Sequence, residues 1–127
     1  MKCTFIDELK SLKSFSNYLS KANNKDTLCC FDYGTLYNTD YHYGHVCVVD
    51  KVYIAKGEVR LIDPERNVPK WRTVTIKKLF EAMKRHGREN GGGFWEIQKI
   101  GMRLFPELNL SKERKMTVLI DSFWPTL

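Results

Sequence analysis

Gly44-His45-Val46-Cys47-Val48-Val49 and, past a turn at Ala55-Lys56-Gly57, Glu58-Val59-Arg60-Leu61-Ile62-Asp63-Pro64 form the stretch that decides the fold. Both runs are rich in β-branched residues, and Val52-Tyr53-Ile54 prolongs the first. Such residues fit a pleated, half-buried surface better than a helix, so the pair reads as two strands of a hairpin. Pro64 stops the second strand because it has no N–H to give to a ladder. Antiparallel pairing sets a His at the start of one strand beside an Asp at the end of the other. A general base and its orienting carboxylate need that proximity: the Asp fixes the imidazole tautomer and stabilises the imidazolium.

Outward from the hairpin, Thr27-Leu28-Cys29-Cys30-Phe31-Asp32-Tyr33 is a short apolar run, read as a buried strand. Residues 34–44 read as a loop, with Tyr33, Tyr37, Tyr41 and Tyr43 in it or at its edge. Residues 4–22 read as an amphipathic helix. Thr4 and Asp7 resemble a capping box, and Phe5, Leu9, Leu12, Phe15 and Leu19 recur at steps of three and four before the polar turn Asn23-Asn24-Lys25-Asp26. Beyond the hairpin, residues 65–72 read as a loop containing Pro69. A second helix then begins at Thr75, with Ile76, Leu79, Phe80 and Met83 on one face and Gly87 at its end. Gly91 to Gly93 lead into a strand at Phe94–Ile97, followed by a short helix over Gln98–Phe105 and a strand over Met116–Ile120. The order of elements predicts the α+β class: an antiparallel sheet flanked by an N-terminal helix and a helix near 75–86.

A chain of 127 residues, 43% hydrophobic and 28% charged, has the composition of a globular domain, so disorder is excluded and residues 1–127 are expected to form a single domain. It has no apolar run long enough to span a membrane, and Asp7 and Glu8 stand where a signal peptide would need its apolar core. Four cysteines without a CxxC spacing fit a reducing compartment, and a cytoplasmic location is expected. Cys29, Cys30 and Cys47 lie in predicted strands and read as small buried hydrophobes. His42, His45 and Cys47 come near metal-ligand spacing but leave a fourth ligand unnamed, so no metal and no cofactor are expected.

The net charge of +6 is uneven. Residues 1–50 hold five Lys/Arg against six Asp/Glu, and residues 51–127 hold sixteen against nine. The densest part carries Arg66, Lys70, Arg72, Lys77, Lys78, Lys84, Arg85 and Arg88 against Glu81 alone. It reads either as a solvated helix face or as a surface for nucleic acid or an acidic partner, with Trp71 and the loop tyrosines available to stack on bases.

From Leu28 to Ile97, the order Gly44-His45, hydrophobic strand, Asp63-Pro64, capped helix and Gly-Phe-Trp strand resembles the papain-fold cysteine peptidases. It is most similar to the bacteriocin-processing (double-glycine leader) peptidase-like group. The resemblance implies a papain-like fold, His45 as general base, Asp63 as its orienting partner, and a peptide or protein as substrate or partner. The read-out from the residues alone stays beside it: a strand histidine, and an aspartate that initiates the turn before Pro64.

The nucleophile departs from the family's pattern, which places a Cys at a helix N-terminus far upstream, preceded by a Gln. Gln98 is the sole glutamine, and no Gln precedes a Cys. Cys3 has the expected local setting, just before the helix predicted from Thr4, where the helix dipole would favour a thiolate. Three alternatives follow: a domain whose nucleophile lies on upstream sequence, a degenerate member that keeps the fold and binds peptide, and a minimal cysteine peptidase using Cys3.

Overall fold

The computed structural model describes residues 2–7, 10–65 and 69–98. Six strands, β1 (Lys2–Ile6), β2 (Thr27–Asp32), β3 (Gly44–Tyr53), β4 (Glu58–Ile62), β5 (Trp71–Thr75) and β6 (Gly93–Gln98), form one sheet in the order β1-β6-β2-β3-β4-β5. Every pairing is antiparallel. Among the described residues three α-helices accompany it: α1 (Leu12–Leu19), α2 (Tyr33–Tyr37) and α3 (Ile76–His86). The class is α+β, as the order of elements predicts. No helix among the described residues is long and apolar enough to cross a membrane.

Alternate residues of a strand point to opposite faces, and β3 divides the core accordingly. Cys47 and Val49 join Cys29, Phe31, Phe94 and the buried faces of α1 and α3 in the larger apolar cluster. Val46 and Val48 join Leu28, Cys30, Ile62 and Ile97 on the other face, with Cys3 and Trp95 packed against them. The helices α1, α2 and α3 all contribute side chains to the first cluster (Phe15, Leu36, Leu79 among them).

The N-terminal segment corrects the sequence reading. Residues 4–22 are not one helix: Lys2–Ile6 is an edge strand on β6, with Cys3 opposite Ile97 and Phe5 opposite Trp95. The Phe5 and Trp95 rings meet at 4.8 Å. A run of Cys, Thr, Phe and Ile suits a strand, and the three- and four-residue spacing bridged two separate elements. The cap of α1 is Ser11, whose hydroxyl accepts from the Ser14 N–H at 3.1 Å; it is not Thr4.

Two further elements lie where loops were expected. Asp32 caps the short helix α2 by accepting from the backbone N–H and the hydroxyl of Thr35. Trp71–Thr75 adds the edge strand β5, with Trp71, Thr73 and Thr75 exposed and the residues between them half-buried. Thr75 both ends β5 and caps α3, accepting from the Lys78 N–H at 3.1 Å, so the second helix stands where its spacing puts it. Arg66 and the expected strand over Met116–Ile120 lie outside the described residues. The helix expected over Gln98–Phe105 starts on the last residue of β6 and otherwise lies outside them too.

Candidate functional site

β3 pairs with β2 through Phe31 opposite His45 and Cys29 opposite Cys47, and with β4 through Val48 opposite Ile62. One step beyond Ile62, Asp63 therefore comes level with Cys47 and on its face of the sheet, diagonal to His45. The Asp63 N–H donates to the Lys70 carbonyl at 2.7 Å, which holds the residue in line beyond the end of β4. His45 Nε2 lies 2.8 Å from Asp63 Oδ1, with both side chains buried. The hairpin thus joins the two residues its sequence pointed to.

The carboxylate accepts two more hydrogen bonds. The Tyr37 hydroxyl donates to Oδ2 at 2.7 Å, and the Glu65 N–H donates to Oδ1 at 2.9 Å. Burial alone would raise the Asp63 pKa, but the bonds from His45 and Tyr37 outweigh it and hold the carboxyl below its ordinary value. An ionised carboxylate can only accept, so the neutral imidazole carries its proton on Nε2. No hydrogen bond engages Nδ1 among the described residues, which leaves it as the ring's acceptor. That is the disposition of a general base held by an orienting acid.

Aromatic rings frame this histidine. Tyr33 and Phe31 meet it edge-on with centroids at 5.2 and 5.8 Å, and Tyr43 stacks on Tyr33 at 4.7 Å. Tyr43 and Tyr41 are exposed, giving a solvent-facing aromatic ledge beside the buried pair. The His86 ring at the end of α3 packs over Gly44, 2.6 Å from where a Cβ on it would stand.

The thiol beside the pair is Cys47, not Cys3. A ring nitrogen of His45, the Cys47 sulfur and an Asp63 oxygen all lie within 4.8 Å of one another. The Tyr37 hydroxyl is 3.7 Å from the same sulfur. Burial pushes the Cys47 thiol well above its ordinary pKa, with the neighbouring Cys29 and Asp63 adding to it, so it stays protonated and is no nucleophile as it stands.

Cys3 sits on β1 and packs against the cluster on the opposite face of the sheet from His45. It does not precede a helix, and partial burial raises its pKa where a nucleophile needs it lowered. His42 does not join His45 and Cys47 either. It pairs with Asp32 at 2.8 Å.

No family model, curated protein or solved structure matches this chain.

The basic stretch is partly engaged within the chain. The Arg72 guanidinium stacks 4.1 Å from the Tyr37 ring centroid, Arg88 pairs with Asp7 at 3.0 Å, and Arg85 approaches Asp32 at 3.9 Å. Lys70 and Lys84 lie over Trp71 and Phe80. Lys77 and Lys78 stand in the first turn of α3.

Sequence reading missed Tyr37 as a member of the site, and set Cys47 near His45 only through a metal-ligand spacing, taking it otherwise as a small buried hydrophobe. Cys47 was within reach of the strand period, two residues past His45 on the same face. Tyr37 was not, because its direction depends on α2, which has five residues and shows no periodic signal.

Proposed function

We propose that this chain is a papain-like, cysteine-peptidase-like domain that keeps the base half of a thiol-hydrolase site, His45 and Asp63, and works by binding a peptide or protein segment along the aromatic ledge at Tyr33 and Tyr43. The observation that carries the reading is the buried 2.8 Å contact between His45 Nε2 and Asp63 Oδ1, with Nδ1 left as an acceptor.

Acyl transfer also needs a thiolate at the base and donors aimed at the developing oxyanion, each donor accounting for a factor of about 10²–10³ in turnover. Cys3 packs on the far face and Cys47 is a buried thiol, so the domain binds without rapid turnover. Incubation with a broad fluorogenic peptide library is expected to give no cleavage above that of His45→Ala. Titration of labelled members of the same library is expected to shift the His45 and Tyr43 resonances. Cleavage lost in both Cys3→Ala and His45→Ala would overturn the reading in favour of a minimal enzyme. A library that shifts neither residue would remove peptide binding.

A further inference from the structure

His45, Cys47 and Asp63 form a cluster that a base and its orienting acid do not account for, because the Cys47 thiol is fully buried beside them and is not the base's nucleophile. We propose that these three residues bind a divalent transition-metal ion of the zinc class, with a water in the fourth position. The proposal goes beyond the peptide-binding reading and stands independently of it.

The donor atoms already lie within 4.8 Å of one another in the buried interior of the sheet. Tetrahedral zinc with bonds of about 2.0–2.3 Å wants its ligands roughly 3.3–3.8 Å apart, so the 2.8 Å contact between His45 Nε2 and Asp63 Oδ1 opens slightly while the wider spacings contract. Sulfur, imidazole nitrogen and a single carboxylate oxygen are the ligand types zinc takes most readily. The charge balances: a divalent cation, one thiolate, one carboxylate and a neutral imidazole sum to zero, which a dry site requires. His42, the third ligand suggested by the sequence, is replaced by Asp63, which the β3–β4 register brings level with Cys47.

The outer contacts suit the role. Tyr37 donates to Asp63 Oδ2, leaving Oδ1 directed at the histidine, and metal-bound carboxylates are commonly oriented by such a bond. Proton bookkeeping is simple. The Cys47 thiol gives up its proton to solvent, and the imidazole proton moves from Nε2 to Nδ1 so that Nε2 can ligate. One proton leaves per ion bound. Metal occupancy therefore takes the Nε2 position from Asp63 and places a proton on the nitrogen that would act as base, so a bound ion and a working base exclude one another.

Titration of the metal-free chain with Co(II), followed by absorbance, tests this directly. A single equivalent is expected to produce a sulfur-to-cobalt charge-transfer band and the visible bands of a four-coordinate ion, both abolished by Zn(II). Cys47→Ser should lose the charge-transfer band, whereas Cys29→Ser and Cys3→Ser keep it. Tyr37→Phe should weaken binding about 10–100-fold. Absence of the band, or its survival in Cys47→Ser, overturns the proposal. Should Cys47→Ser fail to fold, alkylation of the wild type mapped by residue replaces it. Zn(II) is expected to slow modification of Cys47 more than that of Cys29, and equal slowing would overturn the site.

Discussion

Among the described residues two His–Asp pairs stand at the same 2.8 Å separation, and their surroundings make them different objects. His45–Asp63 has side-chain exposures of 8% and 0%, and His42–Asp32 has 41% and 6%. In the second pair the aspartate is spent on local structure: it caps α2 through Thr35, and the histidine closes the following loop over it. Gly34 permits that closure, since a Cβ there would lie 2.7 Å from His42 Nδ1. In the first pair the aspartate joins separate elements, β3 through His45 and α2 through Tyr37. Distance alone therefore says little about a His–Asp contact. What the carboxylate also holds, and how much water reaches it, decides whether the pair fastens a loop or poises a ring.

Asp63→Ala should separate the two most sharply. It leaves the His45 ring N–H and the Tyr37 hydroxyl without their carboxylate acceptor, and each buried donor left unsatisfied costs about 1–3 kcal/mol. Asp32→Ala removes a cap and a half-exposed contact, for about 0.5–2 kcal/mol. Urea unfolding of both variants checks the order, and equal losses would erase the distinction.

Acid titration sharpens it further. Both carboxyls are held below their ordinary pKa despite burial, which acts in the opposite sense. Each therefore lends stability that is present above the pKa of the unfolded chain and is lost as pH falls through the lower, folded value. Urea midpoints followed from neutral pH into the acid range should fall less steeply in Asp63→Asn than in the wild type. An unchanged slope would mean that the Asp63 pKa is not depressed. The smallest effect is expected from His42→Ala, below about 1 kcal/mol and reduced by salt, as for other exposed pairs. A salt-independent loss larger than that of Asp32→Ala would show that the exposed pair is more than a fastening.

The first pair was legible in the sequence because a hairpin is a local object. Two β-branched runs, a Gly turn and Pro64 set the register closely enough to bring His45 to Asp63. The same local logic found α3, whose cap, apolar spacing and Gly87 agree. It failed where neighbours in space are distant in sequence. The β1 strand is stabilised by β6, some ninety residues on, and its Phe and Leu spacing continued by chance into α1. The β5 strand is a short edge element of Trp, Arg, Thr and Val, and only pairing with β4 makes it a strand. Tyr37 reaches Asp63 because Asp32 starts a helix, a consequence of the cap that composition does not announce.

Asp63 fixes the His45 ring so that Nδ1 is the free acceptor. Nitrogen-detected NMR of the metal-free chain, above the range in which an imidazole is protonated, measures this directly. The expected result is a neutral His45 ring with its proton on Nε2, an unprotonated Nδ1, and a tautomer mixture in Asp63→Ala. A proton on Nδ1 in the wild type, with Nε2 bare against Asp63, would contradict it.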